Sequence, residues 1–140
     1  MGGKVLLEVV TPEKLLLSQQ VDDVIAPGSE GEFGVLPGHC HLLSTLRIGE
    51  LRYRVGDLTN HMAVLWGYAE VTPTKVTIMA EIAEKAEDID IERATAKVAE
   101  AERRLQVGGL PSEVKEAEIS LEKARLRKKI AERARKTGHA

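Results

Sequence analysis

Four histidines, one cysteine and a closely spaced pair of glutamates are the side chains of this 140-residue chain best suited to chemistry. His39 and His41 flank Cys40, and on a strand the two imidazoles would share one face, as in the beginning of a metal site. His61 and His139 stand elsewhere, and no carboxylate or cysteine cluster completes a coordination set, so no metal centre is expected. Glu30 and Glu32 alternate along a turn edge, but acid–base work needs a second group set against them, and none is marked. Neither Gly-x-x-x-x-Gly-Lys-Ser/Thr nor a strand-to-helix Gly-x-Gly-x-x-Gly is present to cradle a phosphate. No nucleophile is paired with a base, so no catalytic residue is assigned and the chain is not expected to be an enzyme.

Glu30, Glu32, His39 and His41 all fall within Gly28 to Leu46, a stretch that also holds Gly28, Gly31, Gly34, Pro37 and Gly38. That composition describes tight turns, and Phe33, Val35, Leu36, Leu42, Leu43 and Leu46 would pin them to a core. Polar side chains on a fixed loop are placed to meet a partner; the alternative is that they are solvated turn residues.

The elements that must hold this loop are legible from the pattern. Val5 to Val10 reads as a strand ended by Thr11-Pro12; Leu15-Leu16-Leu17 begins a second and Gln20 to Ala26 a third. Short strands follow near Phe33 to Leu36 and His41 to Leu46. Leu51, Tyr53 and Val55 alternate with Arg52 and Arg54, the period of a half-buried strand. Asn60 to Trp66, Gly67 to Thr72 and Lys75 to Ala80 complete the series. Such spacing, with no helix between, predicts an antiparallel sandwich or barrel.

Near Glu81 the texture changes, and from there on no aromatic residue occurs. Asp88 or Asp90 can cap a helix on which Ile91, Ala94, Val98, Ala101 and Leu105 form a stripe. Gly108-Gly109 ends it, and Ser112 is placed to cap a second. Val114, Ala117, Leu121 and Ala124 line that helix, with Ile119, Leu126 and Ile130 on a second, rotated stripe. The pair reads as an antiparallel helical hairpin. Its seams are mostly alanine, so it is marginal in isolation, the mark of an element able to switch position. The domains are therefore expected at 1–84 and 85–140.

Bulk properties agree with two modules. Residues 1–84 carry six basic and eleven acidic side chains, residues 85–140 fourteen and eleven, and the overall charge is −2. That balance gives no general pull toward nucleic acid, and none is expected as a partner. A single cysteine excludes an internal disulfide, no apolar run could span a bilayer, and the first residues show no signal or transit pattern. A cytosolic or peripheral protein is expected.

Three motifs in order carry a resemblance that covers almost the whole chain. They are Gly28-Ser29-Glu30-Gly31-Glu32-Phe33-Gly34-Val35-Leu36-Pro37-Gly38-His39 with Leu42-Leu43, then Gly67-Tyr68-Ala69-Glu70-Val71, then Ile89-Asp90-Ile91-Glu92-Arg93-Ala94. In these the chain resembles the epsilon subunits of bacterial F-type ATP synthases. It departs from them at His41, where the family usually has proline, and at Cys40, where a small residue is common.

The resemblance implies an all-β sandwich of about ten antiparallel strands followed by a C-terminal α-helical hairpin. It implies a non-catalytic rotor subunit of the central stalk, at the cytoplasmic face of the bacterial inner membrane. There it would couple the gamma subunit to the membrane c ring in proton-driven ATP synthesis, touching the membrane only through the complex. Glu30, Glu32 and His39 would face the c ring and gamma. The mobile helices would inhibit ATP hydrolysis, with Arg125, Lys128, Lys129, Arg133 and Arg135 meeting alpha and beta in the inhibited state. Some members bind regulatory ATP on the folded hairpin, which here would involve Glu84, Asp90, Arg93, Lys123 and Arg127. Where those members add an arginine on the first helix this chain has Glu100, and Lys123 lacks the bidentate fork of arginine. Weak ATP binding or none is therefore expected, and no cofactor is required. The alternative is a stand-alone ligand-binding sandwich with a helical oligomerisation tail.

Overall fold

A computed structural model describes residues 3–136, with side chains through Ala134. Eight strands form β1 (Val5–Val10), β2 (Leu15–Val21), β3 (Asp23–Gly28), β4 (Gly31–Val35), β5 (Leu42–Leu46), β6 (Gly49–Val55), β7 (Leu58–Val71) and β8 (Lys75–Lys85). A short 3-10 turn at Ala86–Asp88 leads to α1 (Ile91–Val107) and α2 (Pro111–Lys136). The chain divides into two compact units, residues 1–85 and 86–140.

In the first unit the strands run β2-β1-β8-β7-β5-β3-β4, with β6 pairing β3 and β7. β1 shows why they close on themselves. Val5, Leu7 and Val9 alternate inward and are fully buried, while Leu6, Glu8 and Val10 are half-exposed. Aliphatic side chains from both ends of the strand path meet in one cluster, among them Val21, Val35, Leu51, Met62 and Ile78. Fully burying each such side chain contributes roughly 1.5–3 kcal/mol. The product is a β-sandwich.

The expected sandwich is present, with two differences of detail. Among the described residues the strands number eight where about ten were expected, partly because no break separates Asn60–Trp66 from Gly67–Val71. β7 runs through it and bends at Trp66–Gly67, where φ is 55° and 138°. Met62 and Val64 face the core before the bend, Ala69 and Val71 after it, so the pleat changes phase there. This is how one strand turns a sandwich corner. Gly67 is required, because the Met79 carbonyl stands where a Cβ would be. Nor is the pairing wholly antiparallel: β1 lies parallel to β8, from Leu6 opposite Lys75 to Val10 opposite Met79. Lys75 and Glu8 form a 2.9 Å ion pair across that seam.

In the second unit Asp90, rather than Asp88, caps α1, its carboxylate accepting the Arg93 N–H at 3.1 Å. Gly108 closes the helix with φ 77°. Ser112 is not the cap of α2. The helix starts at Pro111, and Glu113 reaches back to accept the Leu110 N–H at 2.8 Å. Proline suits the first helical position, where its missing N–H is no loss. The buried residues are small: Ala94 and Ala101 on α1, Ala117, Ala124, Ala131 and Ala134 with Ile130 on α2. Val98, Leu105, Val114 and Leu121 are only partly covered.

Candidate functional site

The glycine-rich stretch folds into the β3–β4 hairpin and the loop that leaves it. Gly28 pairs with Gly31 across the two-residue turn Ser29-Glu30. A Cβ on Gly28 would lie 2.8 Å from the Gly31 carbonyl oxygen and 3.0 Å from the Phe33 ring, so only glycine fits. The turn is tied to β5: the Ser29 N–H donates to the Thr45 carbonyl at 2.9 Å, and the Thr45 hydroxyl donates to the Ser29 hydroxyl at 2.7 Å. Glu30 is therefore exposed on an anchored turn, and Glu32 follows on β4.

His39, Cys40 and His41 lie in the loop before β5, not on a strand. The Gly38 N–H donates to the Pro73 carbonyl at 2.8 Å and the His39 N–H to that of Leu36 at 3.1 Å. The His39 ring folds back so that Nδ1 donates to the Cys40 carbonyl at 2.7 Å, leaving Nε2 for another partner. Cys40 is an exposed free thiol. His139 lies outside the described residues.

Behind Glu32 stands a set of charges that periodicity alone did not expose. Arg52 of β6 reaches over β3, donating to both Glu32 oxygens at 3.3 and 3.4 Å and to Glu50 Oε1 at 3.0 Å. The Glu50 side chain is only 3% exposed, and its other oxygen lies 2.7 Å from His61 Nδ1. Alternation puts Glu50 and Arg52 on one face, and His61 is the register partner of Arg52 on β7. Burial works against the Arg52 charge, but the hydrogen bond to Glu50 and the charge of Glu32 outweigh it and hold the guanidinium above its usual range.

A second feature, also missed, lies at the β7 bend. Trp66, Tyr68 and Met79, with Val10 and Pro12, line an apolar groove of about 650 Å³. Thr45, Tyr68, Met79 and Val10 follow one another in register across β5, β7, β8 and β1. Tyr68 is 55% exposed, an aromatic with no core role. The signal was there: aromatic residues are scarce in this chain, and two of them fall beside Gly67.

In the helical unit, Lys123 and Arg127 do converge. With Lys97, Glu100, Arg104 and Ser120 they line a cavity of about 290 Å³ between α1 and α2. Asp90 and Arg93 do not line it; the Asp90 carboxylate serves as the helix cap and the Arg93 side chain is exposed. Glu84 sits near the end of β8, in the other unit. Of the basic residues of α2, Arg125 pairs with Glu102 of α1 at 3.1 Å. Lys129 is exposed, Lys128 and Arg133 half-buried, and the Arg135 side chain lies outside those described. Among the described residues no helix is long and apolar enough to cross a membrane.

Residues 4–86 match the family model of the ATP synthase delta/epsilon chain β-sandwich domain. The chain belongs to that family. It is 51% identical over 133 residues to the ATP synthase epsilon chain of Syntrophobacter fumaroxidans, covering 95% of this chain and 99% of that one. To the epsilon chain of Citrifermentans bemidjiense it is 47% identical over 137 residues, covering 96% and 98%. Among solved structures it is similar to a chain of the Euglena gracilis mitochondrial ATP synthase, an OSCP/F1/c-ring assembly. There the TM-score is 0.79 at 25% identity, covering 89% of this chain and 79% of that one. Both bacterial epsilon chains align with the sandwich and the helices together, so the likeness extends beyond the β-sandwich domain of the family match.

Proposed function

We propose that this chain is a non-catalytic rotor subunit of F-type ATP synthase. Its β unit couples the gamma subunit to the c ring during proton-driven synthesis, and its helical unit restrains ATP hydrolysis. It is peripheral, held at the cytoplasmic face of the membrane by the complex alone. The observation that carries the reading is a β-sandwich of this family with two outward-facing features built into it. The anchored hairpin presents Glu30 and Glu32, with His39 on the loop beyond, to the polar loops of the c ring. The groove of Trp66, Tyr68 and Met79 offers gamma an apolar seat, with aromatics at its centre as strong protein contacts prefer. The likeness to a chain of an F1/c-ring assembly supports both partners. The domains act separately, 1–84 as the coupling head and 85–140 as the regulatory hairpin. In the inhibited state Arg125, Lys128, Lys129, Arg133 and Arg135 meet acidic segments of alpha and beta.

Co-purification tests this. The full chain is expected to isolate with gamma, and Tyr68→Glu, a charge placed on an exposed groove residue, to weaken that binding by about tenfold or more. A folded wild-type chain that ignores gamma overturns the reading.

A further inference from the structure

Counting histidine as neutral, Glu32, Arg52, Glu50 and His61 together carry one net negative charge. The question is where that charge is expressed. Arg52 binds the buried Glu50 at 3.0 Å and the exposed Glu32 only at 3.3 and 3.4 Å. Glu50 is held from its far side as well, at 2.7 Å from His61. A buried carboxylate has no water to fall back on, so it keeps the stronger claim on the guanidinium. Glu32 is 45% exposed and has solvent as an alternative. The surplus charge therefore stands at Glu32, steadied by Arg52 but not cancelled by it.

We propose that Arg52 is a specificity-determining residue of the Glu32 contact. Anchored from behind by Glu50, it leaves the outer side of the Glu32 carboxylate to one cationic side chain of a partner loop. This rests on the reading of Glu32 as a docking residue. Four groups then share one geometry: the incoming lysine or arginine meets Glu32, Arg52 stays on Glu50, and the local charge closes to zero. A second cation crowded onto Glu32 finds no counter-charge there and is repelled by Arg52, so the Glu32 carboxylate itself takes one cationic side chain and not two. Removing the Glu50 charge frees Arg52 to close fully on Glu32 and hide it.

The test is a titration of the full chain and its variants onto a gamma–c-ring complex at several salt concentrations. Glu32→Gln should weaken binding about two- to fivefold, the size of one exposed ion pair. Glu50→Gln should weaken it by a similar factor although Glu50 is buried away from any partner. Adding Arg52→Gln to Glu50→Gln should abolish that loss, because no cation remains to cover Glu32. Arg52→Gln alone, which leaves the buried Glu50 its His61 contact and is measured on chain shown to be folded by thermal unfolding, should speed association and steepen its salt dependence. Arg52→Lys, which cannot span both carboxylates, should do the same to a smaller degree. An Arg52→Gln chain with unchanged salt dependence, or a folded Glu50→Gln chain that binds as wild type while Glu32→Gln does not, overturns the proposal alone. A silent Glu32→Gln overturns the docking reading and the proposal with it.

Discussion

Asp22 gathers three ties that are distant in sequence. Its Oδ2 accepts the Gly56 N–H at 2.7 Å, Lys4 donates to Oδ1 at 3.0 Å, and Arg54 stands 3.7 Å away. The Gly56 hydrogen bond first, then the Lys4 contact, lowers its carboxyl below the ordinary 3.8. A depressed folded pKa stabilises above the unfolded value, and the contribution disappears as pH falls through the folded one. Thermal unfolding should therefore show Asp22→Asn losing less stability than wild type between neutral pH and pH values below 3.8. An unchanged acid limb would contradict it. None of this was legible beforehand, because Lys4 and Gly56 lie 18 and 34 residues from Asp22. The same holds for Arg52 and Glu32, 20 residues apart. Alternation showed that Arg52 faces away from the core, but not what it faces.

Elements were easier to foresee than their limits. Val5–Val10 matched its strand to the residue, because β-branched alternation and Thr11-Pro12 both mark it. The break expected after Trp66 was absent because Gly67 bends a strand there instead of ending it. The two readings share a sequence signal and differ only in whether pairing to β8 resumes. Ser112 misled for a local reason: Pro111 already fits the first helical position, which leaves Ser112 inside the helix, and Glu113 reaches back to the Leu110 N–H. The helical cavity belongs to this scale too. Lys97, Arg104, Lys123 and Arg127 favour a polyphosphate, but Glu100 shares the lining and opposes one. Asp90 is spent on its cap. Calorimetry on the isolated subunit is therefore expected to find ATP binding no tighter than millimolar, and tighter in Glu100→Arg; saturable micromolar binding by wild type would refute this.

For the whole molecule, the division after Lys85 and the alanine seams of the helices set the expected consequence of truncation. Alanine burial contributes little, so α1 and α2 hold each other loosely. Deleting residues from about Ser112 onward should raise ATP hydrolysis by the reconstituted enzyme and leave stalk assembly intact. Hydrolysis that does not change would count against a restraining role. Two modules could be read from the change of texture near Glu81 and the uneven charge. What covers the faces of the second module could not, since sequence periodicity reports which faces are apolar and not what packs on them.

The parallel seam between β1 and β8 has a consequence for synthesis on the ribosome. The first strand made finds one of its two neighbours in the last strand of the same unit. Until that last strand has emerged, one margin of β1 has no mate, and the sandwich cannot shut. Contacts this far apart in the chain are slow to form. The head should therefore mature late and as a whole, with its opening residues waiting for their counterpart, and a nascent chain halted short of Lys75 would display an open, sticky border.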